Sequence, residues 1–534
     1  MSKKFRNPIL RGCYPDPSIC RAGEDYYLVT STFEYFPGLP IFHSRDLVHW
    51  NQIGHVLDRP SQLDLEEIRP SGGLYAPTIR HSNGTFYVIN TLVDGKSKSG
   101  NFIVTATQPQ GPWSEPYWLE EADGFDPSLF FDDDGRAWFT ATRLNEFGFY
   151  TGHTEVYLRE LDITNMRLVG EETVLWDGAV KGAVWAEAPH IYKVDGYYYL
   201  LIAEAGTAHH HAVSVARSRT IDGPYEPNRG NPILTHRQLG LDYPIVGTGH
   251  ADLVETQNGE WWMVLLAMRP YGGYYYNLGR ETFLAPVRWE DSFPIVSPGT
   301  GRVEFTYPAP NLPECVWQTP ARRDDFVETT LPYHWNFLRT PRDDFYSLKE
   351  HPGFLRLRLR PQQLSEQSNP SFVGRRQQHF HFEAQTSFEF TPKSANECAG
   401  LALIQNKDFH FLFVVTYDGE PLIRLIQRSH GNVKTLAAQQ LPAGHYTLKV
   451  EAHEQNYSFS FFENDRWQLL AANVDGRILS TPVAGGFVGA YIGMYASSNG
   501  QPSVNHADFD WFEYIGLDEN ESELVEDQHK IKPS

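Results

Sequence analysis

An internal repeat constrains this chain more than any other feature of its sequence. Five stretches share one layout, a special residue, a short strand-like run, a Gly turn and an aromatic strand-like run. They are Asp16-Pro17-Ser18-Ile19 leading to Gly23 and Tyr26-Tyr27-Leu28, Ala76-Pro77-Thr78-Ile79 leading to Gly84 and Phe86-Tyr87-Val88, Asp126-Pro127-Ser128-Leu129 leading to Gly135 and Trp138-Phe139, Glu187-Ala188-Pro189-His190 leading to Gly196 and Tyr197-Tyr198-Tyr199, and His250-Ala251-Asp252-Leu253 leading to Gly259 and Trp261-Trp262-Met263. A Gly beside Asp or Asn between two strand-like runs is a hairpin signal. The first positions, 16, 76, 126, 187 and 250, lie 50 to 63 residues apart, enough for about four short strands each. The expectation is an all-β, five-bladed β-propeller over residues 1–300, in which Asp16, Ala76, Asp126, Glu187 and His250 occupy equivalent places around one axis. Ser44 to Trp50, Gln110 to Trp113, Asp222 to Tyr225 and Pro286 to Glu290 are read as outer strands closing the units.

At 534 residues the chain exceeds one ordinary core, so a second domain is expected. Pro- and Gly-rich text over residues 301–323 reads as a linker. Residues 324–516 change to strand-like segments without the repeat, such as Phe354 to Leu359, His379 to Ala384, Phe411 to Val415, Tyr446 to Val450 and Tyr457 to Phe461. Four of these alternate with period two, which predicts an antiparallel β-sandwich. The Glu- and Asp-rich tail, 517–534, is expected to be mobile.

A formal net charge of −21 argues against nucleic acid or an anionic membrane as partner and favours short neutral oligosaccharides. Met1 to Arg6 is basic but lacks a following apolar run, and nowhere do the apolar residues run long enough to span a bilayer. Cys13, Cys20, Cys315 and Cys398 lie singly without metal-type spacing, which reads as reduced thiols in a cytoplasmic protein.

A carboxylate ahead of a strand is commonly a cap or a turn former. Three of them, Asp16, Asp126 and Glu187, at matching repeat positions converge instead on one pocket. Like charges brought together raise one pKa, as an acid catalyst near neutral pH requires. Glycoside hydrolysis uses such a set, with one carboxylic acid protonating the leaving oxygen and one carboxylate activating water. The longer Glu187 suits the acid and Asp16 the base. The run His209-His210-His211 does not read as a metal site, because consecutive strand residues face opposite sides.

On Asn7 to Ile19, Ser31 to Gly38, Gly124 to Phe130, Glu187-Ala188-Pro189-His190, Leu278-Gly279-Arg280-Glu281-Thr282 and Ala507 to Phe512, the chain resembles glycoside hydrolase family 43, and within it the two-domain β-xylosidases and α-L-arabinofuranosidases. The resemblance implies a propeller followed by a concanavalin-like jelly roll. It implies inverting hydrolysis, with Asp16 as general base, Asp126 as pKa modulator and Glu187 as general acid. Inversion sets the base and acid carboxyls roughly 6.5–9.5 Å apart.

The same resemblance assigns Arg280, Phe33, Tyr75, His250, His211 and, from the second domain, Phe487 to the substrate. Phe487 closing one side of the pocket implies exo action. In relatives the residue matching His250 lies beneath the pocket, in some with a central calcium bound through water. No cofactor is implied for the chemistry, and a structural calcium near His250 is the metal expectation, although calcium prefers oxygen ligands. Ala188, Tyr75 and the Tyr274-Tyr275-Tyr276-Asn277 run depart from the family pattern.

The resulting expectation is a cytoplasmic, homo-oligomeric exo-enzyme of xylan degradation. It releases terminal β-D-xylose from xylo-oligosaccharides and has α-L-arabinofuranosidase activity. A predominant arabinofuranosidase is the alternative, and a non-catalytic carbohydrate-binding propeller is the alternative of another class. A retaining fructosidase-type propeller is disfavoured, because no Asn-Asp-Pro-Asn-Gly-like motif stands near the N-terminus.

Overall fold

The computed structural model describes residues 3–518. The described residues are built from β-strands in two compact units, one of residues 3–270 and 280–318, the other of residues 271–279 and 319–518. Beyond Asp518 the acidic tail lies outside the described residues.

The first unit holds five antiparallel sheets of four or five strands, each built on a four-strand meander in chain order. They are β1 to β4 (Ser18–Ala22, Asp25–Val29, Gly38–Ser44, Asn51–Leu57), β5 to β8 (Thr78–Ser82, Thr85–Val93, Gly100–Ala106, Tyr117–Trp118), β9 to β12 (Phe125–Phe131, Ala137–Leu144, Thr154–Asp162, Arg167–Trp176), β13 to β16 (Glu187–Val194, Tyr197–Glu204, Ala212–Ser218, Glu226–Pro227) and β17 to β20 (Val246–Glu255, Trp261–Met268, Glu281–Glu290, Phe293–Val296). The first strands adjoin one another in a closed cycle. β1 lies against β5 and β17, β9 against β5 and β13, and β13 against β17.

Each first hairpin turns on the repeat glycine, Gly23, Gly84, Gly135, Gly196 and Gly259, with φ between 67° and 87°, a left-handed conformation that costs Gly least. Apolar side chains from neighbouring sheets then meet. Ile89, Ile103, Leu129, Phe139 and Tyr157 form the core between the second and third sheets, and Leu158, Ile191, Leu200 and Ala216 that between the third and fourth. Burying each large apolar side chain stabilises the unit by roughly 1.5–3 kcal/mol. The chain start is fastened to the last sheet, where Asn7 bonds the backbone of Leu284 in both directions and Lys4–Arg6 pairs with Thr306–Pro308. Part of the Pro- and Gly-rich stretch 301–323 is therefore a strand of this unit.

The outer strands differ from the expected ones. Ser44 ends the third strand and Arg45 to Trp50 is a turn, in which the Asp46 carboxylate accepts the backbone N–H groups of Val48 and His49, and the fourth strand is Asn51–Leu57. Gln110 to Trp113 and Asp222 to Tyr225 are likewise connections, and Pro286 to Glu290 belongs to the third strand, β19. Asp and Gly-Pro chemistry favours turns over strands, so these motifs mark the approach to the outer strand.

The repeat also needs a shift of one residue. In the third, fourth and fifth sheets the first strand bulges, between Phe125 and Ser128, Glu187 and His190, and Gly249 and Asp252. Left-handed residues sit inside these bulges at Asp126 (φ 52°), Ala188 (φ 53°) and His250 (φ 45°), and Asp16 (φ 55°) matches them in the first sheet. The position equivalent to Asp16 and Asp126 is therefore Ala188. Glu187 stands one residue earlier, where a bulge re-aims the flanking side chains.

In the second unit an eight-stranded sheet contains His506–Gly516, His381–Phe390, Gly444–His453 and Asn456–Glu463 side by side, and a six-stranded sheet contains Tyr491–Ser497, Cys398–Asn406 and Phe409–Asp418. Phe459 of the first sheet packs on Phe411 and Phe413 of the second, which is the sandwich expected. The Tyr274 to Asn277 run belongs to this unit, where the Asn277 carbonyl accepts from Ala490 N at 2.7 Å and its side-chain amide donates to Gly476 O at 3.0 Å.

One glycine near the repeat is fixed by contact. Gly73 has φ 90°, and a Cβ there would stand 2.3 Å from the Phe33 carbonyl oxygen. Gly73→Ala is expected to lower stability by roughly 1–3 kcal/mol through strain, with a matching fall in Tm. An unchanged melting curve would contradict the fit.

Candidate active site

Three carboxylates begin first strands of the first unit, but their surroundings differ. Asp16 is buried in a left-handed backbone position. Its Oδ2 accepts the Ser31 hydroxyl at 2.6 Å and its Oδ1 accepts Arg280 Nη1 at 2.7 Å. Burial alone would raise its pKa, but Arg280, His250 and the Ser31 hydrogen bond outweigh it and hold the carboxyl below its ordinary value. Asp16 is thus an ionised carboxylate.

Asp126 and Glu187 are shifted the other way. Burial, then the charge of Asp16, pushes Asp126 up to about 8, against a backbone N–H from Ala188 that favours its anion. Glu187 is raised well above the usual range by burial, then by Asp126 and Asp16. The site offers an acceptor and a donor of protons at neutral pH, as acid–base catalysis needs.

Arg280 is held from several sides. Its Nη1 also donates to Thr207 Oγ1 at 3.2 Å, and its Cζ lies 5.4 Å from the Phe33 ring centre. Phe33 in turn meets the Tyr75 ring edge-on at 5.7 Å. Just behind Arg280, the Glu281 carboxylate takes two bonds from Arg269, at 2.6 and 3.0 Å, and one from Gly12 N at 2.9 Å. With Tyr14 N bonded to Arg280 O, these bonds tie the stretch before Asp16 to β19.

His250 Nδ1 lies 3.6 Å from Asp16 Oδ1, and burial lowers its pKa against the charge of Asp16, which raises it. His211, fully buried, bonds the Gly247 carbonyl through Nδ1 at 3.1 Å, and burial takes it down to about 3. Gly249 leaves room for that ring, since a Cβ there would stand 2.3 Å from it.

Against this geometry, residues 5–294 match glycosyl hydrolases family 43, and residues 323–515 match the beta xylosidase C-terminal concanavalin A-like domain. The chain belongs to glycosyl hydrolase family 43. A xylosidase/arabinosidase of Butyrivibrio fibrisolvens is 48% identical to this family 43 chain over 95% of it and 98% of the relative. A non-reducing end alpha-L-arabinofuranosidase of Bacteroides ovatus is 43% identical over 97% of this chain and 96% of its own. The solved structure of a xylan beta-1,4-xylosidase from Bacillus halodurans shares 38% identity and a TM-score of 0.91, covering 96% of this chain and 99% of its own. The family 43 chain is a glycoside hydrolase, and the binding-only alternative falls.

The first unit brings Asp16, Asp126, Glu187, Arg280, His250 and His211 within electrostatic reach of one another, with Phe33 and Tyr75 alongside. Phe487 stands in the second unit, half-buried between the short helix Thr481–Ala484 and the strand Tyr491–Ser497. His209 and His210 pack ring against ring. Sequence reasoning missed Ser31, Thr207, Arg269 and the role of Glu281. It also missed Arg80 and Asp252, whose signal was a charge placed inside an inner strand.

The calcium expected beside His250 does not fit the residues present. Among the described residues no group of three or more His, Cys, Asp or Glu side chains is arranged to hold a metal. The Asp252 carboxylate, an acid within electrostatic reach of His250, is filled by Ser18, Ile19, Arg80, Tyr192 and Leu253 donors.

A carboxyl whose folded pKa is depressed contributes stability above the unfolded pKa of about 3.9, and loses it as pH falls through the folded value. Arg280→Met removes the main stabilising charge on Asp16 and is expected to raise its pKa. The stability gap between wild type and variant should therefore be widest near neutrality and narrow on acidification, as read by urea unfolding at several pH values. A gap independent of pH would show that Asp16 does not depend on Arg280.

Proposed function

We propose that this family 43 enzyme is an inverting exo-glycosidase that removes terminal β-D-xylose from short xylo-oligosaccharides and also cleaves terminal α-L-arabinofuranose. Asp16 is the general base that takes a proton from the attacking water. Glu187 is the general acid that protonates the glycosidic oxygen. Asp126 is the neighbour that raises the pKa of Glu187. Arg280 orients Asp16 and offers its remaining N–H groups to sugar hydroxyls, in the fixed fork that guanidinium provides. Phe33 and Tyr75 present ring surface to the C–H faces of the sugar.

The observation that carries this reading is the divergence of the carboxylates. Asp16 is driven down by Arg280 and Ser31 while Glu187 is driven up by burial and Asp126, which is the division of labour that inversion requires. The activities of the relatives at 48% and 43% identity support the pair of sugars. Exo action is supported by the "non-reducing end" specificity of the second. We read the closed cycle of first strands as a five-bladed β-propeller, with the site residues at the entrance to its axis; the five-sheet meander supports this. Cysteines that form no disulfide accord with a cytoplasmic setting.

Proton NMR of the first-formed sugar tests the mechanism, and the inverted anomer is the expected product. A retained anomer would overturn the assignment of Asp16 as base. Glu187→Gln is expected to lower kcat on 4-nitrophenyl β-D-xyloside by about 10²–10⁴-fold. The loss should be smaller on a 2,4-dinitrophenyl glycoside, whose leaving group needs little protonation. Equal losses on both would remove Glu187 from the acid role.

A further inference from the structure

Within electrostatic reach of His250, beside which the resemblance places a calcium, Asp252 and His190 are bridged by a side chain. Arg80, on β5, sends its guanidinium to where the inner strands meet. Its Nη1 reaches Asp252 Oδ2 at 2.8 Å, Ile79 O at 2.8 Å, Ser18 Oγ at 3.3 Å and Ile19 O at 3.4 Å. Its Nη2 reaches His190 Nδ1 at 2.9 Å and Asp252 Oδ1 at 3.2 Å. The acceptors are two carboxylate oxygens, a hydroxyl, two backbone carbonyls and an imidazole nitrogen, an oxygen-rich shell of the kind a hard cation gathers.

Together the contacts join four sheets. Ser18 and Ile19 belong to the first, Arg80 to the second, His190 to the fourth and Asp252 to the fifth, while Ser128 of the third lies 3.1 Å from the same His190 nitrogen. Burial keeps His190 neutral, so its Nδ1 is free to accept and the ring proton sits on Nε2. Ser18 is two residues from Asp16 and is held twice, donating to Asp252 at 2.7 Å and accepting from Ile79 N at 3.1 Å.

We propose that Arg80 is a built-in cation of the inner ring, standing where a metal would otherwise join the five first strands, and that it is a positioning residue for Asp16. The second half of the proposal rests on the reading of Asp16 as general base. The enzyme therefore works without a divalent ion. A second consequence is that the loss of Arg80 disturbs the alignment of the base more than the binding of the sugar.

The test has a wild-type arm and a variant arm. In the first, desalted enzyme is analysed for calcium by mass spectrometry, and turnover is measured with EDTA and with added calcium chloride. No stoichiometric calcium and unchanged turnover are expected. Activity that EDTA abolishes and calcium restores would overturn the built-in cation.

In the second, Arg80→Ala is expected to lower kcat by about tenfold or more with KM little changed. Millimolar guanidinium chloride should restore part of that kcat in a saturable way, without effect on wild type. A variant with wild-type kcat, or a deficit that guanidinium leaves untouched while the Tm is normal, would overturn the positioning role. Should Arg80→Ala fail to fold, Arg80→Lys decides, because an ammonium reaches only part of the shell. Its kcat should lie well below wild type at similar KM, and full kcat would refute the proposal. Asp16→Asn separates the two readings. If it stays active, the base assignment is wrong; if it is inactive while Arg80→Ala is not, only this inference fails.

Discussion

Everything in the first unit leans on one buried carboxylate. Asp252 is inaccessible to solvent and receives donors from β1, β5 and β13 as well as from its own strand. An unpaired charge at such a place would be intolerable, and removing one partner of a buried ion pair costs roughly 3–5 kcal/mol. Arg80 supplies the countercharge, and Tyr192 and Ser18 fill the remaining lone pairs. The polar cluster therefore defines one arrangement of the five first strands, where apolar packing between neighbouring sheets would tolerate small slips. Those same strands carry Asp16, Asp126 and Glu187 at their starts, so the registry of the ring becomes the geometry of the site.

The second constraint is electrostatic and is set by neighbours. Asp16 and Asp126 are the same residue type, both buried, both in left-handed backbone and both followed by proline. Their pKa values move apart because Arg280 and Ser31 reach Asp16, while burial and the charge of Asp16 raise Asp126. Left-handed non-Gly residues store roughly 1–3 kcal/mol of strain each. Their recurrence at Asp126, Ala188 and His250 inside three bulges shows the fold repeatedly bending the strand start to re-aim a side chain.

Much of this was legible in the repeat. The turn glycines, the aromatic second strands and the change of pattern after residue 300 are local features, and local chemistry writes them into adjacent residues. The outer strands were misplaced because Ser44 to Trp50 and the Gly-Pro pairs are apolar and aromatic enough to resemble strands, although Asp46 and the prolines make them turns. The place of Glu187 was misjudged by one residue. A bulge adds a residue without altering composition, and only the pairing of Glu187 with Ala203 and of His190 with Leu201 exposes it.

By itself the sequence determined the sheet hairpins, the presence of a second all-β unit and the identity of the three carboxylates. These depend on periodicity and on motifs a few residues long. Tertiary structure alone decided which carboxylate is ionised, because Arg280 lies 264 residues from the Asp16 it holds. It also decided which charge meets Asp252. Arg80 and Asp252 are 172 residues apart, each an unremarked charge within its own strand, and only closure of the ring turns them into a pair. Protonation and ion pairing are set by distance in space, and no local pattern in the chain encodes that distance.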